Sequence, residues 1–120
     1  MLLIAGFDRV MNIFYHDYFV GYGYDIETVE RGIDCLSALK NHDIDLVVLD
    51  WRILWGGGEG VLAHMRDNGH FKYPPVVLLL DESSCGTVAA AFHPPVIRRL
   101  YKPVRLTILR EAIATALETP

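Results

Sequence analysis

Hydrophobic residues along this chain are concentrated in short runs that alternate with segments of helical spacing. Three runs contain no polar residue, and they cover residues 2–5, 46–49 and 76–80. Such runs are typical of strands buried on both faces, as in a parallel sheet covered by helices. Two further strand candidates, residues 24–29 and 97–101, mix apolar with charged side chains. A mixed strand is expected at the edge of a sheet, where one side meets water.

The connections between these runs carry apolar residues at intervals of three or four, which predicts helices. The first helix would present Val10, Ile13, Phe14 and Tyr18 on one face. The other four are marked, in chain order, by Ile33, Leu36 and Leu39; by Val61, Leu62 and Met65; by Val88, Ala89 and Phe92; and by Leu106, Leu109, Ile113 and Leu117. Five strands alternating with five helices predict an α/β fold, a flavodoxin-like (βα)5 doubly wound parallel sheet in the order 2-1-3-4-5.

Composition narrows the class of protein. With 120 residues, of which 52% are hydrophobic, residues 1–120 are expected to form a single domain with its own core. A formal net charge of -4 argues against a nucleic-acid surface. Cys35 and Cys85 lack the spacing of a zinc site and are interpreted as reduced thiols. Without a membrane-length apolar run or a signal peptide, we expect a cytoplasmic protein.

Functional residues of doubly wound folds lie beyond the carboxyl ends of the strands. The residues that the predicted strands deliver to this edge are Gly6, Phe7 and Asp8 (first strand), Asp50 (third strand), Leu80 and Asp81 (fourth strand) and Lys102 (fifth strand). An acid and a lysine are therefore expected to meet at one rim of the sheet.

Over essentially its whole length the chain resembles the receiver (CheY-like) domain of two-component response regulators. The segment 45–51, DLVVLDW, is similar to the strand that ends in the phosphoacceptor aspartate, which places Asp50 at the acceptor position. Gly58 stands where the family has the glycine that opens its third helix. Lys102-Pro103 resembles the Lys-Pro pair after the fifth strand, whose peptide bond is usually cis. The resemblance implies a non-enzymatic module of phosphorelay signalling, partnered by a histidine kinase or another signalling protein.

Several positions depart from the family pattern. The family holds Mg²⁺ with two acids after the first strand, and the strand-five lysine helps to neutralise the transferred phosphoryl group. Gly6 and Phe7 occupy the two acid positions here. Leu80 replaces the Thr or Ser that binds the acyl phosphate, Arg99 replaces the switch aromatic, and Leu54 replaces a proline.

Charge balance gives these departures a consequence. The charges of Asp50 and Lys102 cancel each other, so without Asp8 nothing at the rim requires a divalent cation; no cofactor is expected, although Mg²⁺ stays possible. An Asp–Lys pair about 4 Å apart gains roughly 4 kcal/mol before desolvation at an effective dielectric near 20. We therefore favour an atypical receiver with impaired Mg-dependent phosphorylation that works by protein–protein contacts. A conventional phosphoswitch at Asp50 stays open as the alternative.

Other residues near Asp50 have two interpretations each. The guanidinium of Arg52 could fold over Asp50 in place of a cation, although a solvent-facing Arg52 is favoured. Asp8 could shift inward and bind a metal ion together with Asp50 and the carbonyl of Arg52. Asp81, Ser83 and Ser84 could replace the missing hydroxyl, but serines after a strand more often cap the next helix. The glycines at 56–58 lack the pattern of a phosphate loop and favour a turn.

A partner surface and two competing functions complete the hypotheses. The face of the predicted fourth helix, fifth strand and fifth helix carries Arg98, Arg99, Arg105 and Arg110, and family members often dimerise there. A phosphohydrolase of the haloacid dehalogenase type would need a second acid where Arg52 stands, and a flavin carrier would need a phosphate loop. Because receiver domains usually lead into an output domain after the last helix, we expect a segment of a longer protein.

Overall fold

A computed structural model describes residues 1–54, 56–67, 73–81 and 93–118 of the chain. Within these residues the elements are β1 (Leu2–Ala5), α1 (Arg9–Val20), β2 (Ile26–Val29), α2 (Gly32–Asn41), β3 (Leu46–Asp50), α3 (Gly57–Asp67), β4 (Val76–Leu80), β5 (Val96–Tyr101) and α4 (Leu106–Glu118). The helix predicted around Val88, Ala89 and Phe92 lies outside the described residues, as do Cys85, Ser83 and Ser84. Helix α4 is thus the counterpart of the fifth predicted helix.

The five described strands form one parallel sheet in the order β2-β1-β3-β4-β5, which confirms the predicted topology. The uninterrupted apolar runs form the three central strands, and every residue in them is buried. The two mixed strands lie at the edges, as predicted, because their charged side chains need access to water. The parallel arrangement brings all carboxyl ends to the same edge of the sheet.

Each central strand supplies both faces of the sheet because successive side chains point in opposite directions. One face packs against α2 and α3 and contains Leu3, Ala5, Val47, Leu49, Val76, Leu78 and Leu80. The other packs against α1 and α4 and contains Leu2, Ile4, Leu46, Val48, Val77 and Leu79. Two hydrophobic layers thus hold the strand ends in a fixed register.

Helix α1 has the predicted position, but its predicted apolar face is largely exposed. The exposed fractions of Val10, Ile13 and Phe14 are 60%, 55% and 59%. The residues of α1 that are buried are Asn12, Tyr15 and Phe19. Both faces carry apolar residues at helical spacing, and the sheet selects the face with the fully buried Phe19 ring.

Helix α2 packs through small residues. Cys35 and Ala38 are buried, whereas Ile33, one of the residues whose spacing predicts this helix, is 62% exposed. Burial raises the pKa of the Cys35 thiol to about 12. The thiol therefore stays protonated at neutral pH, in keeping with the structural interpretation of this cysteine.

Among the described helices, none combines the length and the apolar character that a passage through a lipid bilayer would require.

Candidate functional site

Asp50, the last residue of β3, lies at the rim where the central strands end. Its carboxylate accepts a hydrogen bond from Nζ of Lys102, with only 10% of the Asp50 side chain and 27% of the Lys102 side chain exposed. The position of Lys102 follows from the sheet, because its backbone N–H donates to the carbonyl of Leu80 at 2.8 Å and extends the β4–β5 pairing. The sequence predicted that this acid and this lysine meet, and the structure brings them together.

Arg52 reaches Asp50 through its backbone. The N–H of Arg52 donates to Oδ1 of Asp50 at 2.9 Å, while Nη1 of its guanidinium lies 3.2 Å from Oδ2 of Asp81. The Arg52 side chain is 63% exposed. The guanidinium therefore does not fold over Asp50, and that alternative was wrong. The favoured solvent-facing orientation is correct, with Asp81 as an ionic partner.

Four charged residues form a connected group at this rim. Lys102 Nζ also lies 3.8 Å from Oδ1 of Asp81, so the order of contact is Asp50, Lys102, Asp81 and Arg52. We call these residues the rim quartet. Two carboxylates and two cations alternate along the quartet, and their formal charges cancel.

Phe7 lies beside the rim quartet. The centroid of its ring is 4.9 Å from Nζ of Lys102 and 5.8 Å from Cζ of Arg52. Both distances lie within the range of cation–π attraction. An aromatic face thus meets the two cations at a position where the family resemblance implies a metal-binding carboxylate.

Asp8 caps the first helix. Its Oδ1 accepts hydrogen bonds from the backbone N–H groups of Val10 at 2.9 Å and Met11 at 3.3 Å. This geometry satisfies donors of the first helical turn that have no partner within the helix.

In the part of the chain that the structure describes, no group of three His, Cys, Asp or Glu side chains is arranged to hold a metal ion.

Asn12 is a site residue that the sequence analysis did not identify. The side chain is 4% exposed, and its Nδ2 donates to the carbonyls of Gly6 at 2.9 Å and Val29 at 3.3 Å. It therefore joins the carboxyl ends of β1 and β2 beside the rim. The available signal was an asparagine opposite the exposed apolar face of α1, but helical spacing alone does not show which face is buried.

Comparisons with known proteins agree with the fold. No known protein-family model matches the chain. The chemotaxis protein CheY1 of Helicobacter pylori is 25% identical over 99 residues, which cover 81% of this chain and 80% of CheY1. The chemotaxis protein CheY-3 of Vibrio cholerae is 26% identical over 87 residues, covering 72% of this chain and 67% of CheY-3. The transcriptional regulatory protein GlrR of Escherichia coli is 32% identical over 96 residues, which are 80% of this chain but 21% of GlrR.

Solved structures give the same result at the level of the backbone. The receiver domain of NtrX from Brucella abortus superposes with a TM-score of 0.86 at 20% identity, with full coverage of both chains. The chemotaxis response regulator CheY4 of Vibrio cholerae superposes with a TM-score of 0.84 at 17% identity, covering 96% of each chain. The chain thus has the receiver fold, and it is similar in sequence to response regulators over most of its length. Its relatives are signalling regulators rather than classical enzymes.

The structure shows the surroundings of three positions that depart from the receiver pattern. Leu80 is 2% exposed and packs in the core between the sheet and α3. Arg99 lies in edge strand β5, opposite Leu78. The backbone N–H of Leu54 donates to the carbonyl of Glu30 at 3.3 Å, and its carbonyl accepts from Gly32 at 2.7 Å. Proline has no N–H to donate, so leucine at position 54 permits this link between two loops.

The glycines after Asp50 serve the turn into α3. Gly56 and Gly57 have φ values of +101° and +66°, a region that glycine adopts without strain. A Cβ on Gly58 would lie 2.9 Å from the Cα of Trp51, so close approach of the two backbones requires glycine there. Backbone geometry therefore accounts for the whole run. The Lys102–Pro103 peptide is cis, as the resemblance implied.

One arginine of the predicted partner face contacts a neighbouring helix. Nη1 of Arg110 donates to the hydroxyl of Tyr18 at 2.9 Å, and its Cζ lies 3.9 Å from the ring centroid of Tyr22. Arg110 therefore packs against α1 and its following turn. Arg98 and Arg105 are exposed.

Proposed function

We propose that this domain is an atypical receiver of a cytoplasmic response regulator, with impaired Mg-dependent phosphorylation of Asp50. It would act in phosphorelay signalling through contacts with a histidine kinase or another signalling protein. The observation that carries the proposal is the rim quartet, in which Lys102 already neutralises Asp50 while Gly6 and Phe7 supply no carboxylate. The relatives support the signalling role, and the geometry of the rim supports the impaired chemistry.

The donor set does not fit Mg²⁺, which requires several oxygen ligands in octahedral arrangement. Gly6 has no side chain, and Phe7 presents an aromatic ring to the cations of the rim. The carboxylate of Asp8 is used by the first turn of α1. Asp50 is bonded to Lys102, and a cation added there would compete with the ammonium group.

Phosphoryl transfer to Asp50 would be slow for a related reason. The transition state spreads negative charge over three equatorial oxygens, and catalysis consists largely of neutralising that charge. Lys102 is the cation that contacts Asp50 here, and the Leu80 side chain cannot donate a hydrogen bond to an acyl phosphate. The contacts that would both form and retain a phosphoaspartate are thus reduced in number.

Treatment with acetyl phosphate or beryllofluoride in the presence of Mg²⁺ tests the proposal. We expect no adduct on Asp50 by intact-mass spectrometry for acetyl phosphate, and no perturbation of the amide spectrum around Asp50 with beryllofluoride. Asp50→Asn is the matched control for modification elsewhere, and a receiver that retains both acids is the positive control. An adduct that disappears in Asp50→Asn would overturn the proposal and restore the conventional phosphoswitch.

The conventional phosphoswitch is the second candidate, and one observation favours it. Asp50 is placed at the end of β3 with one oxygen bonded to Lys102 and the other to a backbone N–H, so its position is fixed.

The enzymatic alternative, a phosphohydrolase, is weaker, because the side chain two residues after Asp50 is the guanidinium of Arg52, which cannot serve as a general acid. Release of phosphate from a generic phosphate ester would revive it, and we expect none.

A homodimer is a further part of the proposal, with two candidate surfaces. Edge strand β5 and the residues after it expose Arg98 and Arg105, and α1 exposes the apolar side chains of Val10, Ile13 and Phe14. Sedimentation velocity of the wild type, Arg98→Glu and Phe14→Ser separates them. Loss of a dimer in Arg98→Glu alone would assign the β5 face, and loss in Phe14→Ser alone would assign α1. A monomer at every concentration would exclude both surfaces.

A further inference from the structure

The side chain of Asn12 is fixed by two acceptors that belong to different strands. Its Nδ2 donates to the carbonyl of Gly6, directly after β1, and to the carbonyl of Val29, the last residue of β2. These bonds define the orientation of the amide, because Oδ1 cannot donate to either carbonyl. Oδ1 must therefore point to the side away from the two acceptors.

That side is the space where a side chain at position 6 would begin. A Cβ built on Gly6 would lie 2.7 Å from Oδ1 of Asn12 and 3.7 Å from its Cγ. The first distance is shorter than any tolerated carbon–oxygen contact, so a side chain at position 6 requires Asn12 to move. Movement would break two hydrogen bonds of a residue that is 4% exposed.

A carboxylate at position 6 would meet a second obstacle. Its oxygens would lie next to the amide oxygen of Asn12, and both groups are acceptors that repel each other when buried together. Steric overlap with Asn12 and repulsion between the acceptor oxygens therefore both disfavour an acid at this position. Gly6 and Asn12 are compatible with each other, whereas an acid at position 6 and Asn12 are not.

We propose that Asn12 is a positioning residue that occupies the space of the first metal-binding side chain of ordinary receivers and keeps the acceptor rim in its metal-free arrangement. The inference rests on the proposed function, since it explains how the absence of Mg²⁺ binding is maintained. Restoring acids at positions 6 and 7 is then insufficient, and residue 12 has to change with them. The absence of Mg²⁺ binding is then a property of three positions, two directly after β1 and one on α1.

Magnesium titration of two designed variants tests the inference by isothermal titration calorimetry. We expect Gly6→Asp/Phe7→Asp to bind Mg²⁺ at least tenfold more weakly than the same protein with Asn12→Ala added. The matched control adds Asn41→Ala instead, which removes an exposed asparagine of α2 and leaves position 6 unaffected. Equal affinity of the double and triple variants, whether measurable or not, would overturn the proposal.

A stability cycle gives a readout that involves no metal and covers the case in which an acidic variant fails to fold. We expect Gly6→Ala to lower the Tm by several degrees in the presence of Asn12, and by much less in an Asn12→Ala background. Asn12→Ser replaces Asn12→Ala if the latter is too unstable to measure. An equal loss in both backgrounds would show that the two positions are not coupled and would overturn the inference.

These results are separable from the test of the proposed function. Binding of Mg²⁺ by the wild type would contradict the impaired phosphorylation, but the difference between the double and triple variants would still report on Asn12. Conversely, if the wild type binds neither Mg²⁺ nor beryllofluoride, the proposed function still holds even when the effects of substitutions at positions 6 and 12 prove to be independent.

Discussion

The two halves of the acceptor rim share one backbone register and differ in chemistry. In the half formed by the ends of β3, β4 and β5, Asp50, Asp81 and Lys102 are charged and in contact. In the half formed by β1 and α1, glycine and phenylalanine stand at the first two rim positions. Phe7 approaches Lys102 through its ring, so the second half contacts the first without a carboxylate.

This difference shows that the sheet specifies where side chains are placed but not what they do. Leu3 of β1 pairs with Val47 of β3, and Leu49 of β3 pairs with Leu78 of β4, so the positions at the rim follow from apolar residues in the layers beneath. Replacing acids at the rim leaves those layers unchanged. A receiver fold is therefore compatible with a rim that has no acid at positions 6 and 7.

The largest expected effect lies in the charged half. Lys102→Met should reduce the free energy of unfolding by about 2–3 kcal/mol, because it leaves Asp50 at the rim without its ionic partner. Partial exposure of the pair keeps this value below that of a fully buried ion pair. Urea unfolding measures the loss, and Lys40→Met, at an exposed position of α2, should stay within about 0.5 kcal/mol of the wild type. An unchanged stability in Lys102→Met would show that the rim quartet does not stabilise the fold.

A substitution in the turn after Asp50 should cause the next largest loss of stability. Gly58→Ala should cost about 2 kcal/mol, since the new Cβ would meet the Trp51 backbone at 2.9 Å. Gly60→Ala is the matched control in the same helix: a Cβ there meets nothing within 4 Å, and the helix should gain up to about 1 kcal/mol. Thermal unfolding of the two variants gives the comparison, and similar values for both would contradict the close approach.

Two substitutions of Asp8, in the half formed by β1 and α1, distinguish the effect of the helix cap from the effect of the negative charge. Asp8→Ala should cost about 1 kcal/mol through loss of the helix cap, whereas Asp8→Asn should stay within a few tenths of the wild type. Both variants are measured by urea unfolding without divalent ions. If Asp8→Asn lost as much stability as Asp8→Ala, the negative charge of Asp8 would have a role that the cap does not explain.

Phe7 should give the smallest effect. Phe7→Leu preserves an apolar side chain and removes the ring beside Lys102 and Arg52, for a loss of about 0.5–1 kcal/mol. Phe14→Leu, on the exposed face of α1, controls for the change of residue type and should have little effect. Equal stabilities of the two variants would exclude a cation–π contribution and weaken the link between the two halves of the rim.

Sequence reasoning was most accurate for the sheet and less so for the helix surfaces. Uninterrupted apolar runs identify central strands because both faces are buried, so no decision between faces is needed. For α1 the sequence has to show which helix face packs on the sheet. It does not, because the exposed residues Val10, Ile13 and Phe14 have the same helical spacing as residues of a buried face. Arg110 illustrates the same limit, since its contact with Tyr18 and Tyr22 joins segments that are remote in sequence.

By itself, the sequence determined the strand order, the edge and central strands, and the meeting of Asp50 with Lys102, because hydrophobic runs and strand ends are local patterns. The tertiary structure alone decided that Arg52 pairs with Asp81, that Phe7 faces Lys102, and that Asn12 fills the space beside Gly6. Each of these contacts joins residues from different elements, and side-chain direction there depends on how the helices pack on the sheet. Local patterns carry no information about that packing.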